Sequence, residues 1–332
     1  MFKVLSCQVD EHYYLFISLF RYFISETEGS SKRTSIMSFS STECISWLSV
    51  GVTECVAVFV INLVTIVVFI KNRNLRRRSL YLVLNLAVAD MLVGGLSIIH
   101  LFAILSYFCN HWFYESISLL GEMVFVFLFF FCPFSSILNM AVISLERLHA
   151  TFSPFRHRFT NKWVYGVTVA VIWIVAAAVS TSLTVLSKVK IQLSKSYHYF
   201  WQSFNLICLL IICVSYAAIV IKMHCSAHPH HQGAAGRERK FTMTLLIVTV
   251  ISLLLYLPNV IGTLLHHTTD TLTSLPFLTS QRVNTAFILL YYANSLVNPI
   301  VYAIRMPDFK TALLSIFRRQ QRENEVFPLR PF

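Results

Sequence analysis

The chain has 332 residues, 56% of them hydrophobic and only 13% charged, with a mean hydropathy of +0.66. A soluble domain carries about 25% charged residues, so a soluble protein is excluded and most of this chain belongs in a bilayer. The formal net charge of +12 reads as membrane topology and attraction to anionic inner-leaflet lipid, not as nucleic-acid binding.

Residues 1–36 come first. Tyr13–Phe20 is apolar but short, and Asp10, Glu11 and Arg21 flank it closely, which is not a signal-peptide pattern. Two starts stay open, Met1 and Met37. The chain has no Asn-x-Ser/Thr sequon, so N-glycosylation is not expected. Seven stretches then meet the requirement of about 20 apolar residues for a membrane-spanning helix: 45–70, 79–106, 117–148, 163–187, 199–223, 240–265 and 283–304. The chain divides into a largely disordered tail (1–44), a seven-span domain (45–306) and an amphipathic helix with a short tail (307–332). With the N-terminus outside, 19 of the 27 Lys and Arg fall in inner loops or the C-terminal segment. The positive-inside rule therefore orients the chain with its N-terminus outside and its C-terminus inside.

Polar residues inside the spans carry the chemistry. Span 1 holds Asn62, and span 2 holds Asp90 within the apolar run Leu82–Leu92. Span 3 holds Ser136 and ends at Glu146-Arg147, while span 7 holds Asn294, Ser295 and Asn298, the last followed by Pro299. A mid-membrane Asp costs about 2.5–3.5 kcal/mol on insertion scales, so Asp90 must face the bundle interior and be paired or hydrated. Asn-Pro deep in a helix removes a backbone donor and introduces a kink. A carboxylate among amide and hydroxyl oxygens suits Na⁺ or a proton, and a polar network that only fixes helix packing fits the same residues.

Cysteines and histidines offer no second centre. Cys55, Cys132, Cys208 and Cys213 fall within spans and read as buried packing residues. Cys7, Cys44 and Cys109 lie where they could pair outside, though the sequence does not demand it. The His- and Gly-rich stretch 224–236 reads as a flexible inner loop. His266-His267 and the trio His228, His230 and His231 lack the further ligands of a metal site. After span 7, Phe309, Leu313 and Phe317 recur at i, i+4 and i+8 beside Lys310, Arg318 and Arg319, which makes an interfacial amphipathic helix. The chain has no His-Glu-x-x-His, no Gly-x-Ser-x-Gly and no paired membrane aspartates, so it is not read as an enzyme.

Taken in order, these landmarks resemble the rhodopsin-like (class A) G-protein-coupled receptors, over about residues 45–318. They are Asn62, Leu86-Ala87-x-x-Asp90, Glu146-Arg147-Leu148, Trp173, Tyr216, Pro258 and Asn298-Pro299-x-x-Tyr302, followed by Phe309. The resemblance implies an all-α seven-transmembrane bundle with a short amphipathic helix 8. It implies a sodium pocket of Asp90, Ser136, Asn294, Ser295 and Asn298, with Na⁺ at Asp90. It implies an activation switch in which Arg147, beside Glu146, meets the G protein. In the resting state Arg147 would pair with Glu238, while Tyr216, Pro258 and Tyr302 move on activation. Pro154-Phe155 would dock on a heterotrimeric G protein.

Departures from the family pattern narrow the ligand. Glu122 stands where the family has the span 3 cysteine, and residues 187–197 hold no cysteine to match it. Cys208 replaces the span 5 proline and Tyr256 the span 6 tryptophan. This pairing of losses resembles the melanocortin, lysosphingolipid and cannabinoid branch, and Tyr292–Tyr302 resembles adenosine receptors. Phe129 stands where amine receptors have Asp, Thr263 where adenosine receptors have Asn, and Tyr292 where opsins carry the retinal lysine. No retinal is expected. The expected pocket lining is Phe129, Phe130 and Pro133 from span 3, with Tyr256, Asn259 and Thr263 from span 6. Ile288 and Tyr292 complete it from span 7. It suits an extracellular lipid, small peptide or uncharged molecule. No Ser or Thr follows Ser315 and no cysteine follows Cys225, so weak tail-dependent arrestin recruitment and no palmitoyl anchor are expected. Two rivals stay open: a proton transporter or channel relaying through Asp90, Glu54 and His100, and a weakly signalling decoy receptor.

Overall fold

The structure is a computed structural model describing residues 39–72, 80–109, 119–188, 194–225, 234–268, 276–305 and 309–315. Its helices are α1 Ser41–Lys71, α2 Leu80–Phe108, α3 Leu119–Phe152, α4 Pro154–Phe159, α5 Lys162–Lys188, α6 Ser194–Cys225, α7 Ala234–Thr268 and α8 Phe277–Arg305. A last helix, α9, covers 309–315. Seven of them, all but α4 and α9, are long and apolar enough to cross a membrane, and no strand occurs among the described residues. The bundle has a Ser41 end, where α1 starts, and an Arg305 end, where α8 stops.

The helices overrun the apolar stretches that announce them. α3 has 34 residues, about 50 Å at 1.5 Å per residue, against a hydrocarbon core of about 30 Å. α6 starts at Ser194 and α7 at Ala234, ahead of their apolar runs. Hydropathy marks only the part of a helix that lipid touches, whereas intrahelical hydrogen bonds continue past it. α1 opens on Ser40, whose hydroxyl accepts from the Glu43 N–H at 3.2 Å and so caps the first turn. Pro133, Pro258 and Pro299 lie inside α3, α7 and α8. Neighbouring helices make such prolines tolerable in membrane spans.

α3 lies at the centre. Phe134, Ile137 and Arg147 on α3 are almost fully buried, as are Ile212 and Ile219 on α6 and Tyr302 on α8. α1 and α2 approach closely at Gly94, where a Cβ would stand 2.7 Å from the Phe59 backbone nitrogen and 2.9 Å from the Cys55 carbonyl oxygen. Backbone cannot swing aside as a side chain can, so Gly94→Ala must push α1 and α2 apart. Overpacking of this kind costs about 1–3 kcal/mol, and a thermal-unfolding scan in detergent is expected to show a lowered midpoint for Gly94→Ala.

Two ties close the Ser41 end. Cys44 and Cys109 form a disulfide across 65 residues of chain, a pairing the sequence allowed without requiring. Glu43 accepts two bonds from Arg282, at 2.6 and 3.1 Å, linking α1 to α8. Cys7 lies outside the described residues. Cys55, Cys132 and Cys208 are buried as expected, but Cys213 is exposed on α6. Ile212 and Tyr216 define the inward face there, and position 213, a hundred degrees round from 212, faces outward. At the Arg305 end Phe309 and Ala312 of α9 are buried, with the Phe309 ring 5.4 Å from Phe69 and 6.3 Å from Tyr302. Phe317, Arg318 and Arg319 lie outside the described residues.

Candidate functional site

Asp90 is fully buried midway along α2, and α3 and α8 supply its partners. Ser136 Oγ donates to Asp90 Oδ1 at 2.6 Å and Ser295 Oγ to the same oxygen at 2.9 Å. Asn298 Nδ2 donates to Oδ2 at 2.7 Å. These are charge-assisted bonds from neutral donors, so they soften the cost of the burial without neutralising the carboxylate. Pro299 leaves Asn298 on the inward face of α8, next to Asp90. Asn62 on α1 donates to the Ser295 carbonyl at 3.0 Å and holds that turn of α8 in place.

Asn294, expected in the same cluster, does not bond Asp90: its Nδ2 lies 4.0 Å from Met140 Sδ. Its carbonyl Oδ1 and that of Asn298 are buried without a hydrogen-bond partner. Buried unpaired oxygens ask for an explanation such as an ion or water. Two amide oxygens with a carboxylate are donors of the type that hard cations take, so this cluster fits a monovalent cation by its chemistry.

A second polar chain joins α2, α3 and α5. Trp173 Nε1 donates to Asn85 Oδ1 at 2.9 Å, Asn85 Nδ2 donates to Asn139 Oδ1 at 2.7 Å, and Asn139 Nδ2 donates to the Ser135 carbonyl at 2.8 Å. Sequence reasoning took Trp173 only as a landmark and passed over Asn85 and Asn139. The signal was available, since both are amides inside apolar runs.

At the Arg305 end Arg147 is fully buried and is held by its neighbour Glu146. Nε donates to Oε2 at 2.5 Å and Nη2 to Oε1 at 2.6 Å. Oε1 also lies 2.6 Å from His157 Nε2 on α4 and accepts from the Tyr165 hydroxyl on α5 at 3.2 Å. The Glu238 side chain, the acid expected opposite Arg147, lies outside the described residues. Tyr216 and Tyr302 are buried, and the Tyr302 hydroxyl has no hydrogen-bond partner. Pro154 and Phe155 are exposed, Phe155 at 83%.

The expected ligand lining is only partly assembled. A cavity of about 40 Å³ lies between α2, α3 and α8, with Ser97, His100, Phe125, Phe129, Pro133 and Tyr292 in its wall. His100 Nδ1 and the Tyr292 hydroxyl share a hydrogen bond, and the Phe129 ring sits 4.2 Å from the imidazole. Phe129, Pro133 and Tyr292 were expected there; Ser97, His100 and Phe125 were not. Phe130 instead packs on Trp201 at 5.0 Å, Tyr256 on Tyr291 at 4.7 Å, and Ile288 against the Leu101 and Tyr292 clusters. These contacts fill the α7 side and shift the opening towards α2. Asn259 is half-buried on α7, and the Thr263 side chain lies outside the described residues. A pocket for a drug-sized ligand measures about 300–1,000 Å³, well above the volume of this cavity.

Residues 61–302 match the family model described as seven transmembrane receptor (rhodopsin family). The chain is similar to the human lysophosphatidic acid receptor 3, 26% identical over 299 residues that cover 84% of this chain and 80% of the relative. It is similar to the human lysophosphatidic acid receptor 1, 26% identical over 312 residues that cover 85% of this chain and 78% of the relative. The sheep receptor 1 is 25% identical over 312 residues, 85% of this chain and 72% of the relative.

Proposed function

The chain belongs to the rhodopsin family of seven-transmembrane receptors, and we propose that it sits in the plasma membrane with its Ser41 end outside, binds a lipid and activates heterotrimeric G proteins. The observation that carries this reading is Arg147, fully buried at the Arg305 end and donating two hydrogen bonds to the Glu146 carboxylate. A buried guanidinium bonded to a neighbouring carboxylate has a held and a released arrangement, and a ligand that prefers the released one shifts the population. Phe155 and Pro154, exposed on α4 beside it, offer an apolar plug to the G protein.

In this reading Na⁺ favours the held arrangement. Asp90 supplies the charge, and Asn294 and Asn298 supply oxygens that otherwise lack partners. The resemblance to melanocortin, lysosphingolipid and cannabinoid receptors at Cys208 and Tyr256, and to adenosine receptors over Tyr292–Tyr302, belongs to the same reading. The proton-transporter rival needs a relay, and among the described residues no hydrogen bond joins Glu54, His100 and Asp90. That observation favours the receptor.

The relatives' names point to a lipid. The cavity wall contributes no Lys or Arg among the described residues, so an uncharged head group fits it better than a phosphate. Lysophosphatidic acid and a monoacylglycerol, each offered to membranes bearing the protein with purified G protein, separate the two. Nucleotide exchange is expected to rise with the monoacylglycerol. Phe129→Trp, which fills the cavity at an overpacking cost of about 1–3 kcal/mol, is expected to raise the half-maximal concentration tenfold or more. Response to neither lipid, or an unchanged response in Phe129→Trp, rejects this ligand site.

A further inference from the structure

We propose that the first turn of α1 is a latch over the cavity between α2, α3 and α8, with the Glu43–Arg282 ion pair as the half that opens and the Cys44–Cys109 disulfide as the half that stays shut. This rests on the receptor reading above and concerns how its ligand cavity is reached. Glu43 and Cys44 are neighbours in the chain, yet they hold different helices. Cys44 is bonded to Cys109 at the end of α2. Glu43 accepts from Arg282 Nε at 2.6 Å and from Nη2 at 3.1 Å, near the start of α8. Ser40 caps the turn at the Glu43 N–H and keeps both residues in helix. Two successive residues of α1 therefore tie α2 to α8.

Below the tie the same three helices close on one another. Phe39, Leu101, Leu105 and Leu289 form a buried apolar cluster. At Gly51 an added Cβ would stand 3.1 Å from Leu101 Cδ1 on α2 and 3.2 Å from Leu289 Cδ2 on α8. Further in, the His100–Tyr292 hydrogen bond crosses from α2 to α8 in the cavity wall. His100 is nine residues from Cys109 and Tyr292 ten from Arg282, about 14 and 15 Å along the helices, so the tie stands level over both walls. Its two halves differ in strength. The disulfide is covalent. The ion pair touches solvent, with Arg282 46% and Glu43 23% exposed, and such pairs contribute little and are screened by salt. The pair is thus the half that thermal motion opens. Opening it frees α8, and Tyr292 with it, from α1 and α2, and the cavity widens while the latch is open. Losing an exposed pair shifts such an equilibrium by about twofold to fivefold.

The test is the rate at which Cys132, buried in the cavity wall, reacts with methyl methanethiosulfonate in the purified full chain, read at that residue by mass spectrometry. Cys208, buried in the main core on α6, is the reference. Glu43→Gln and Arg282→Gln are each expected to raise the Cys132 rate about twofold to fivefold and to leave Cys208 unchanged. The exchanged pair, Glu43→Arg with Arg282→Glu, remakes the ion pair in reverse and is expected to return the wild-type rate. Equal Cys132 rates in wild type and both single variants, or no recovery in the exchanged pair, overturn the proposal. A rise at Cys208 that matches the rise at Cys132 also overturns it, because it reports a general loosening of the bundle. Nucleotide exchange stimulated by a monoacylglycerol separates this proposal from the ligand reading. Its half-maximal concentration is expected to fall by the same factor in the single variants. A faster Cys132 with an unchanged lipid response keeps the latch and counts against the ligand site.

Discussion

Asp90→Asn is expected to abolish any effect of Na⁺ on basal nucleotide exchange while leaving a folded, membrane-inserted protein. The substitution keeps the shape of the side chain and an oxygen for Ser136 and Ser295, which donate to Oδ1 at 2.6 and 2.9 Å. It removes the one formal charge of the cluster and leaves only neutral amide oxygens, Asn294 Oδ1 and Asn298 Oδ1 among them, to face a cation. Binding to one state shifts an equilibrium by the factor 1 + [L]/Kd. Sodium at ten times its dissociation constant would therefore lower the active fraction of the wild type by about tenfold. A titration of NaCl against KCl at constant ionic strength reads the effect directly. Wild type should show the fall and Asp90→Asn a flat line. Equal sodium responses in the two proteins would remove the cation from the account.

Glu146→Gln is expected to raise basal exchange about tenfold. Arg147 is fully buried and Glu146 is 12% exposed, so their two bonds are little screened. Hydrogen bonds to charged groups contribute about 1.5–3 kcal/mol each. Losing even the lower figure from the held state alone changes the held-to-released ratio by about tenfold. The same change leaves a buried guanidinium without its counter-charge, which is destabilising, so a lowered thermal midpoint should accompany the higher activity. Exchange at or below the wild-type level would mean that Glu146 does not restrain Arg147.

Asp90 and Asn298 were legible in the sequence because a charge or an amide inside an apolar run must be paid for by a partner, and the hydropathy pattern exposes such residues. The seven apolar stretches announce the seven helices, and the landmark in each span carries the family resemblance. What the sequence hid follows from geometry between helices. Neighbouring residues on a helix do not ordinarily face each other, so Glu146 was not anticipated as the partner of Arg147; the long guanidinium folds back to reach it. His157 lies eleven residues from Glu146 in a six-residue helix, and only the turn at Ser153-Pro154 brings them together. The Cys213 assignment failed because membership of a span was read without the helical phase. The shift of the cavity towards α2 follows from where Phe130 and Tyr256 find aromatic partners, Trp201 and Tyr291, which no local pattern encodes.

The most direct test of the central claim is nucleotide exchange on a panel of heterotrimeric G proteins in membranes bearing the wild-type protein beside Arg147→Ala at matched surface expression. The account predicts exchange above background with at least one G protein for the wild type, and background exchange for Arg147→Ala. Wild-type exchange that survives in Arg147→Ala, or no exchange with any G protein from a well-expressed wild type, would contradict it.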